Sequence, residues 1–423
     1  MADLPEEIVM EILSWFPLGQ VEKSKILSKP YAKATWEAYY RNLNAERQGG
    51  PVLDGFLLQT YQKIHRYLSF VSPRPPPFSS PFHLSLSFLP GTDPEILAVA
   101  PNGLAICKTR HPGRRYFAPI YCICKPTTKQ WKGMPLPKTR YSTTGIAIRI
   151  VSLDPLRFKV VRFSKNHIPS KQPMTKSYLV CELFDSHTWR WRRLHDVVFP
   201  SYSGYIVYGS PNVSACGSAH WLLGDQTILA FDFDVETWSF IAPPDHFSLQ
   251  DCSGHHHRVT LAQYEGKLAL MMQETKVKAT EVWVMEKYEK RIWTKRLDLA
   301  MEMPIAFYSS DVAMNVQMFT EAKFCNFVHG GCTYSPTRGA MYGCPDVFPF
   351  LSDFEPCNLF DTAPPRRLNP RTMLKILRKR LLAIQNNVHL LLSFFFFLHM
   401  DAIFLLTFLR TIVIASTYSS NSE

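Results

Sequence analysis

The sequence predicts an α+β multidomain protein: a small N-terminal three-helix bundle, a proline-rich connector and an all-β propeller domain. Three observations predict this. Near the start, Ile8, Ile12, Leu13 and Phe16 recur at helical spacing. From about residue 96, apolar and polar residues alternate, with turn residues between the runs. Within that region one strand–turn–aromatic unit returns at steps of roughly 50 residues, the period of one four-stranded, kelch-like blade.

The bundle is assigned to residues 1–47. Its first helix lies in "LPEEIVMEILSWFP", Leu4 to Pro17. Pro5 has a fixed φ suited to a first helical turn, and Glu6 and Glu7 complement the positive end of the helix dipole. Pro17 and Gly19 stop it. A second segment runs from Val21 to Leu27. Ser28 can cap a third, which begins near Pro30 and carries Tyr31, Ala34, Ala38 and Leu43. Three such short helices make too small a core to hide their own apolar residues. The first helix therefore reads as a docking surface for another protein.

Residues 48–95 are assigned as a connector centred on "SPRPPPFSSPF", Ser72 to Phe82, whose prolines favour extended chain. The β domain is assigned to residues 96–360. "YCICKPTTKQW" (Tyr121 to Trp131), "CELFDSHTWRW" (Cys181 to Trp191) and "LAFDFDVETWSF" (Leu229 to Phe240) share a strand, a polar turn and a Thr-x-x-aromatic ending. "VWVMEKYEKRIW" (Val282 to Trp293) is a fourth copy with Lys290 in place of the Thr. Trp131, Trp191, Phe240 and Trp293 are the aromatic members, expected to wedge between neighbouring sheets. Gly-containing hairpin entries precede three copies, at Asn102, Cys216 and Glu265. Four copies are too few for most closed propellers, so divergent blades are expected in 140–175 and 300–360.

Residues 361–423 change texture. "RRLNPRTMLKILRKRLLAI" (Arg366 to Ile384) is basic and amphipathic, and residues 388–409 are apolar over a length that suits a membrane span. Asp401, His389 and His399 oppose a span, since charge at mid-membrane is costly. A tail anchor, a helical extension and a segment outside the folded design are the three readings. The abrupt change and the poly-Phe run favour the last.

The 423 residues include 47 Lys plus Arg against 35 Asp plus Glu, a net charge of +12. The basic residues are scattered up to about residue 300, which excludes a dedicated nucleic-acid element. In "WRWRRL", Trp189 to Leu194, a strand would place Trp189 and Trp191 on a core face and Arg190 and Arg192 on a wet one. The acidic start has no basic n-region for a signal peptide. The ten cysteines include no C-x-x-C pair, so zinc ribbons and thioredoxin-type sites are excluded and reduced thiols in the cytoplasm or nucleus are expected. Cys252, His255 and His257 in "DCSGHHHRV" are the one candidate metal set, without a second ligand pair at a familiar spacing. No nucleophile-elbow, zincin or P-loop motif is present. No cofactor, metal or catalytic residue is therefore assigned.

Leu4-Pro5, Ile12-Leu13, Phe16-Pro17, Val21, Leu27, Lys29 and Tyr31 resemble the F-box. "APNGLAIC", "CKPTTKQW", "GSAHWLL", "ILAFDFDVETWSFI" and "EVWVMEKYEKRIWTK" resemble, in their usual order, the blocks of the plant F-box-associated, kelch-like domain. Phe16 stands for the usual Leu and Tyr31 for the usual Trp. Glu22, Ser24 and Pro30 are further departures, and the tail has no counterpart. The resemblance implies a non-catalytic substrate receptor of a Skp–cullin–F-box ubiquitin ligase. The F-box would dock a Skp-type linker protein, and through it a cullin, while the β domain holds a protein substrate. Leu4, Pro5, Ile8, Ile12, Leu13, Phe16, Pro17, Val21, Leu27 and Tyr31 would supply the docking face and small core. The alternatives are a membrane-tethered propeller interaction protein and a propeller metalloenzyme.

Overall fold

The two ends of the β domain meet in one sheet. Strands β1 (Leu53–Gln62) and β2 (His65–Val71) open the domain, and β1 pairs antiparallel with the last strand, β24 (Asp346–Ser352). The register runs from Leu53 opposite Ser352 to Gln59 opposite Asp346. This computed structural model describes residues 52–62, 65–74, 84–111, 119–165, 178–199, 205–207, 212–244, 257–274, 279–302, 304–317, 321–337 and 345–359, with Ile8, Glu11, Ile12, Ser14 and Trp15 near the N-terminus.

Five further antiparallel sheets lie between those ends. Blade 1 is β3 (Thr92–Val99), β4 (Ala105–Arg110), β5 (Ile120–Lys125) and β6 (Gln130–Gly133). Blade 2 is β7 (Ser142–Leu153), β8 (Leu156–Lys165), β9 (Tyr178–Asp185) and β10 (Arg190–Arg193), with β11 (Val197–Val198) also on β9. Blade 3 is β12 (Val213–Ala215), β13 (Ser218–Leu222), β14 (Ile228–Asp232) and β15 (Thr237–Ile241). Blade 4 is β16 (His257–Tyr264), β17 (Lys267–Glu274), β18 (Thr280–Lys287) and β19 (Ile292–Leu299). Blade 5 is β20 (Ala306–Phe307), β21 (Val312–Gln317), β22 (Glu321–Asn326) and β23 (Cys332–Pro336). Blade 6 is the closing sheet, β24–β1–β2.

Six apolar clusters bind the blades into a ring. Ile106 and Ile123 of blade 1 pack with Ile148 and Phe158 of blade 2, and Phe163 of blade 2 with Trp221 and Phe231 of blade 3. Leu222 and Ile228 meet Leu270 and Met285, and Val282 and Val284 meet Phe307 and Ala313. Met314 and Phe324 then meet Phe56 and Leu58, and Leu53 and Leu57 meet Ile96 and Cys107. Phe56 and Leu58 therefore face blade 5, while Leu53 and Leu57 face blade 1. The two-residue period of a strand puts alternate side chains on opposite faces, so both must be apolar in a sheet buried on both sides.

The all-β propeller expectation is met, and the ring has six blades. Three details of the sequence reading change. Residues 53–71 were expected in a connector; they form two strands of blade 6, because their partner β24 lies nearly 300 residues later and leaves no local signal. Residues 140–175 are not a separate blade. They carry β7 and β8, the first half of blade 2, whose second half is the Cys181–Trp191 unit. Residues 300–360 hold blade 5 and the closing strand.

The third change concerns Phe240. The turn before each outer strand ends on a left-handed residue: Lys129, Trp189, Glu236 and Arg291. Two residues beyond it stand Trp131, Trp191, Trp238 and Trp293. They pair with Cys124, Phe184, Phe231 and Met285. Trp238 is therefore the counterpart of the other tryptophans, and Phe240 lies two residues further along, against Phe199 at 6.1 Å. Three of these indoles donate their N–H to the preceding blade: Trp191 to the Pro135 carbonyl at 2.8 Å, Trp238 to His195 at 3.0 Å and Trp293 to Ala242 at 3.0 Å. Each acceptor lies just past the preceding outer strand, so the recurring aromatic latches neighbouring blades. Trp131 stands on the outer strand of blade 1 at 36% exposure.

Candidate functional site

Near the N-terminus, Ile8, Glu11, Ile12 and Ser14 take helical backbone. Ile8, Ile12 and Trp15 are spaced so that they share one helical face. All three are exposed, at 46%, 45% and 63%. Ser14 is buried and donates its hydroxyl to the Glu11 carbonyl at 2.7 Å. The apolar side chains thus face outward and a polar one inward, the reverse of a core helix. Leu4, Pro5, Leu13, Phe16, Pro17, Val21, Leu27 and Tyr31 lie outside the described residues, as does the three-helix bundle itself.

The propeller has two unlike ends. In a four-stranded antiparallel meander, the first and third turns fall at one end of the sheet. The second connection and the departure to the next blade fall at the other. At the first end the turns are short. Asn102-Gly103, Cys216-Gly217 and Glu265-Gly266 all have positive φ, and the last two pairs join their strands directly. These are the Gly-containing entries of the sequence, and two successive left-handed residues make the turn that suits the twist of a hairpin. At the second end the chain runs from Arg110 to Ile120, Lys165 to Tyr178 and Ile241 to His257 before the next strand. Strand β1 starts at the short-turn end, so residues upstream of Leu53 join the propeller opposite the long connections.

The short-turn end is also where the chain is strapped after β24. The Lys125 ammonium, almost fully buried, meets the Asp353 carboxylate and donates to the Glu355 carbonyl at 2.6 Å. Gln130 accepts from the Cys357 backbone N–H at 2.8 Å, and Lys132 donates to the Leu359 carbonyl at 2.9 Å. Leu359 is buried in the cluster between blades 1 and 2. At the same end, His220 and Tyr288 join blades 3 and 4. The His220 ring is fully buried, with Nδ1 3.0 Å from the Val213 carbonyl and Nε2 2.7 Å from the Tyr288 hydroxyl. A carbonyl can only accept, so Nδ1 carries the proton and Nε2 accepts from Tyr288. Burial pulls the imidazole down to about 4, which keeps it neutral.

A second charged anchor stands at the long-connection end. Arg162 of β8 and Glu182 of β9 form an ion pair with both side chains buried. Thr139 donates to Glu182 through its N–H at 3.0 Å and its hydroxyl at 2.7 Å. Arg162 donates to the Thr143 hydroxyl at 2.8 Å and to the Tyr141 carbonyl. The pair fastens residues 139–143, the passage from blade 1 to blade 2. Between blades 6 and 1, Arg66 binds Asp93 and Glu95, which also meet Arg110 at 3.3 Å and Lys108 at 3.0 Å. Burial pushes the Asp346 carboxyl above its usual range, while the Gln59 amide opposes the rise.

Around these anchors the long-connection end presents Tyr61, Leu136, Tyr178, Val198 and Tyr205, all exposed. The Arg66 guanidinium lies 5.3 Å from the centre of the Tyr61 ring. Tyr205 stands so close over Gly224 that a Cβ there would come within 2.5 Å of the ring. Tyrosine offers a large, rigid contact area with a polar tip, which suits protein recognition. The sequence reading missed these tyrosines because they are scattered over two strand ends and one connection. Trp15 was missed too, although its spacing from Ile8 and Ile12 carried the signal.

The chemistry-bearing candidates separate. Cys252 and His255 lie outside the described residues, and His257 begins β16. Among the described residues, no group of three metal-ligating side chains converges. Residues 388–409 also lie outside the description, and among the described residues no helix is long and apolar enough to cross a membrane. Trp191 is buried while Arg190 and Arg192 are exposed, as the two faces of β10 require; Trp189 is buried too, but from the turn before the strand, where its φ is positive.

Comparison with known proteins gives the following. The family described as the F-box associated beta propeller domain matches residues 57–328, well over half of the chain. F-box protein At5g49610 of Arabidopsis thaliana is 24% identical over 301 residues, covering 69% of this chain and 77% of that one. F-box protein DOR of the same plant is 26% identical over 314 residues, covering 69% and 73%. Among solved structures, an oligogalacturonate lyase in complex with manganese is 9% identical at a TM-score of 0.34, over 68% of this chain and 86% of that one. So distant a likeness carries no functional meaning.

Proposed function

Because the chain belongs to the F-box-associated β-propeller family, we propose that it is the substrate-recognition subunit of a Skp–cullin–F-box ubiquitin ligase, acting in the cytoplasm or nucleus. The segment around Ile8, Ile12 and Trp15 docks a Skp-type linker, and the propeller holds a protein substrate at its long-connection end. The protein contributes geometry and no catalytic group. The observation that carries this reading is the outward-facing Ile8–Ile12–Trp15 face, upstream of a propeller whose family is the F-box-associated one. The entry of β1 at the short-turn end supports it further, since it leaves the long-connection end open to a second partner.

The test is binding of the full-length chain to a purified Skp-type linker. Ile8→Asp with Ile12→Asp is expected to weaken binding at least a hundredfold. Each buried Ile-sized side chain contributes roughly 1.5–3 kcal/mol, and each 1.4 kcal/mol is about tenfold in affinity. A wild-type chain that binds no such linker at micromolar concentration refutes the proposal.

A further inference from the structure

The outer hairpin of blade 5 carries two cysteines directly across from each other. Cys325 of β22 pairs in register with Cys332 of β23, and their Sγ atoms are 2.8 Å apart. Beside them the Asn326 N–H donates to the Gly331 carbonyl at 3.0 Å. Bonded and non-bonded pairs alternate along an antiparallel ladder, so the cysteines occupy a non-bonded pair, where side chains approach closely. Directly opposed residues in a sheet fall within the Cα separation a disulfide spans. No backbone movement is needed to join them.

The surroundings favour exchange chemistry. Lys323 and Cys325 are two apart on β22, and their partners Tyr334 and Cys332 are two apart on β23, so all four share one face. The Lys323 ammonium, held above its usual range by Cys325 and Cys332, stabilises a thiolate there. Burial and the hydrogen bond to Cys332 push Cys325 up to about 11, and Cys332 is the more exposed of the two, so an oxidant reaches its sulfur first. The hairpin also forms one wall of a cleft of about 730 Å³ between blades 4 and 5, lined by Leu297, Met301, Val316, Lys323, Cys325 and Phe327. The cleft opens onto Cys325, while Cys332 is exposed on the outer strand.

We propose that Cys325 and Cys332 form a redox-responsive dithiol site, closed to an intramolecular disulfide by a small organic disulfide. The Cys332 thiolate attacks one sulfur of the oxidant RSSR and expels RS⁻, leaving a mixed disulfide. The Cys325 thiol gives up its proton and attacks the Cys332 sulfur, expelling the second RS⁻. Two protein thiols are oxidised, RSSR is reduced to two RSH, and the thiol protons end on those products. The bond staples β23, an edge strand exposed along most of its length, to the body of blade 5. Cys107 and Cys124 are the internal contrast. Their sulfurs are 3.6 Å apart but fully buried, out of reach of an oxidant in the folded protein.

The test treats the full-length folded protein with oxidised glutathione, alkylates remaining thiols and digests with trypsin without reduction. Both cysteines fall in one tryptic peptide, residues 324–338. That peptide is expected to lose the two thiol hydrogens and take no alkyl group, while Cys107 and Cys124 stay reduced. Cys325→Ser is expected to trap Cys332 as a glutathione adduct, and Cys332→Ser to leave Cys325 alkylatable. Both replacements lie at the surface edge of the hairpin, and an unchanged thermal transition checks that they fold. Alkylation of both thiols after oxidant, pairing of either with another cysteine, or a persistent adduct on wild-type Cys332 overturns the proposal.

Discussion

The two ends of this propeller hold their chain with different contacts. At the short-turn end, tight turns rest on left-handed residues, and blades are joined by the His220–Tyr288 hydrogen bond and the Lys125–Asp353 ion pair. At the long-connection end the main anchor is the buried Arg162–Glu182 pair, which reaches across to residues 139–143. Short turns need only the right φ at one or two positions. The passage from blade 1 to blade 2 has no ladder of its own at residues 134–141, and the many donors around Arg162 and Glu182 hold it in place. The first end therefore fixes the fold, and the second can vary its exposed residues without disturbing it.

The largest expected effect comes from separating the charged anchor. Arg162→Met or Glu182→Leu alone leaves one buried charge uncompensated and is expected to cost about 3–5 kcal/mol in denaturant unfolding. The double substitution should recover most of that. A double variant as unstable as the singles would mean that the ion pair, rather than the packing around it, holds the passage.

Next in size is a pH effect at the other end. The folded His220 pKa, about 4, lies below the ordinary 6.5. Above 6.5 both folded and unfolded chains carry neutral imidazole and nothing changes. Between 6.5 and 4 the unfolded chain takes up the proton first, so stability falls with pH by on the order of 3 kcal/mol in all. His220→Gln is expected to flatten this slope in urea titrations. An unchanged slope would place the sensitivity elsewhere.

The smallest effects sharpen the contrast. Gly266→Ala, at φ +72°, is expected to cost about 1–2 kcal/mol through left-handed strain alone. Tyr178→Ala, exposed at the opposite end, should leave stability within about 0.5 kcal/mol. It should nonetheless reduce the recovery of protein partners captured by the full-length chain. Equal losses of stability at both positions would erase the distinction between the ends.

The sequence itself made the repeating unit legible. Strand, turn and tryptophan lie within about a dozen residues, and a two-residue alternation or a Gly-bearing turn needs no distant partner to be seen. The same locality made Ile8 and Ile12 readable as helical neighbours, although Trp15 on the same face was overlooked. What it left open depended on partners far away. Residues 53–71 look like connector until β24 pairs with them, because a register between positions almost 300 apart has no periodic trace. Phe240 matches the repeat by its distance from Thr237, yet pairing with β14 gives Trp238 the equivalent place. Likewise Cys325 and Cys332 are unremarkable at a spacing of seven, and only the hairpin brings their sulfurs together. Local chemistry determined the units; long-range pairing and burial decided their number, their register and how the ring closes.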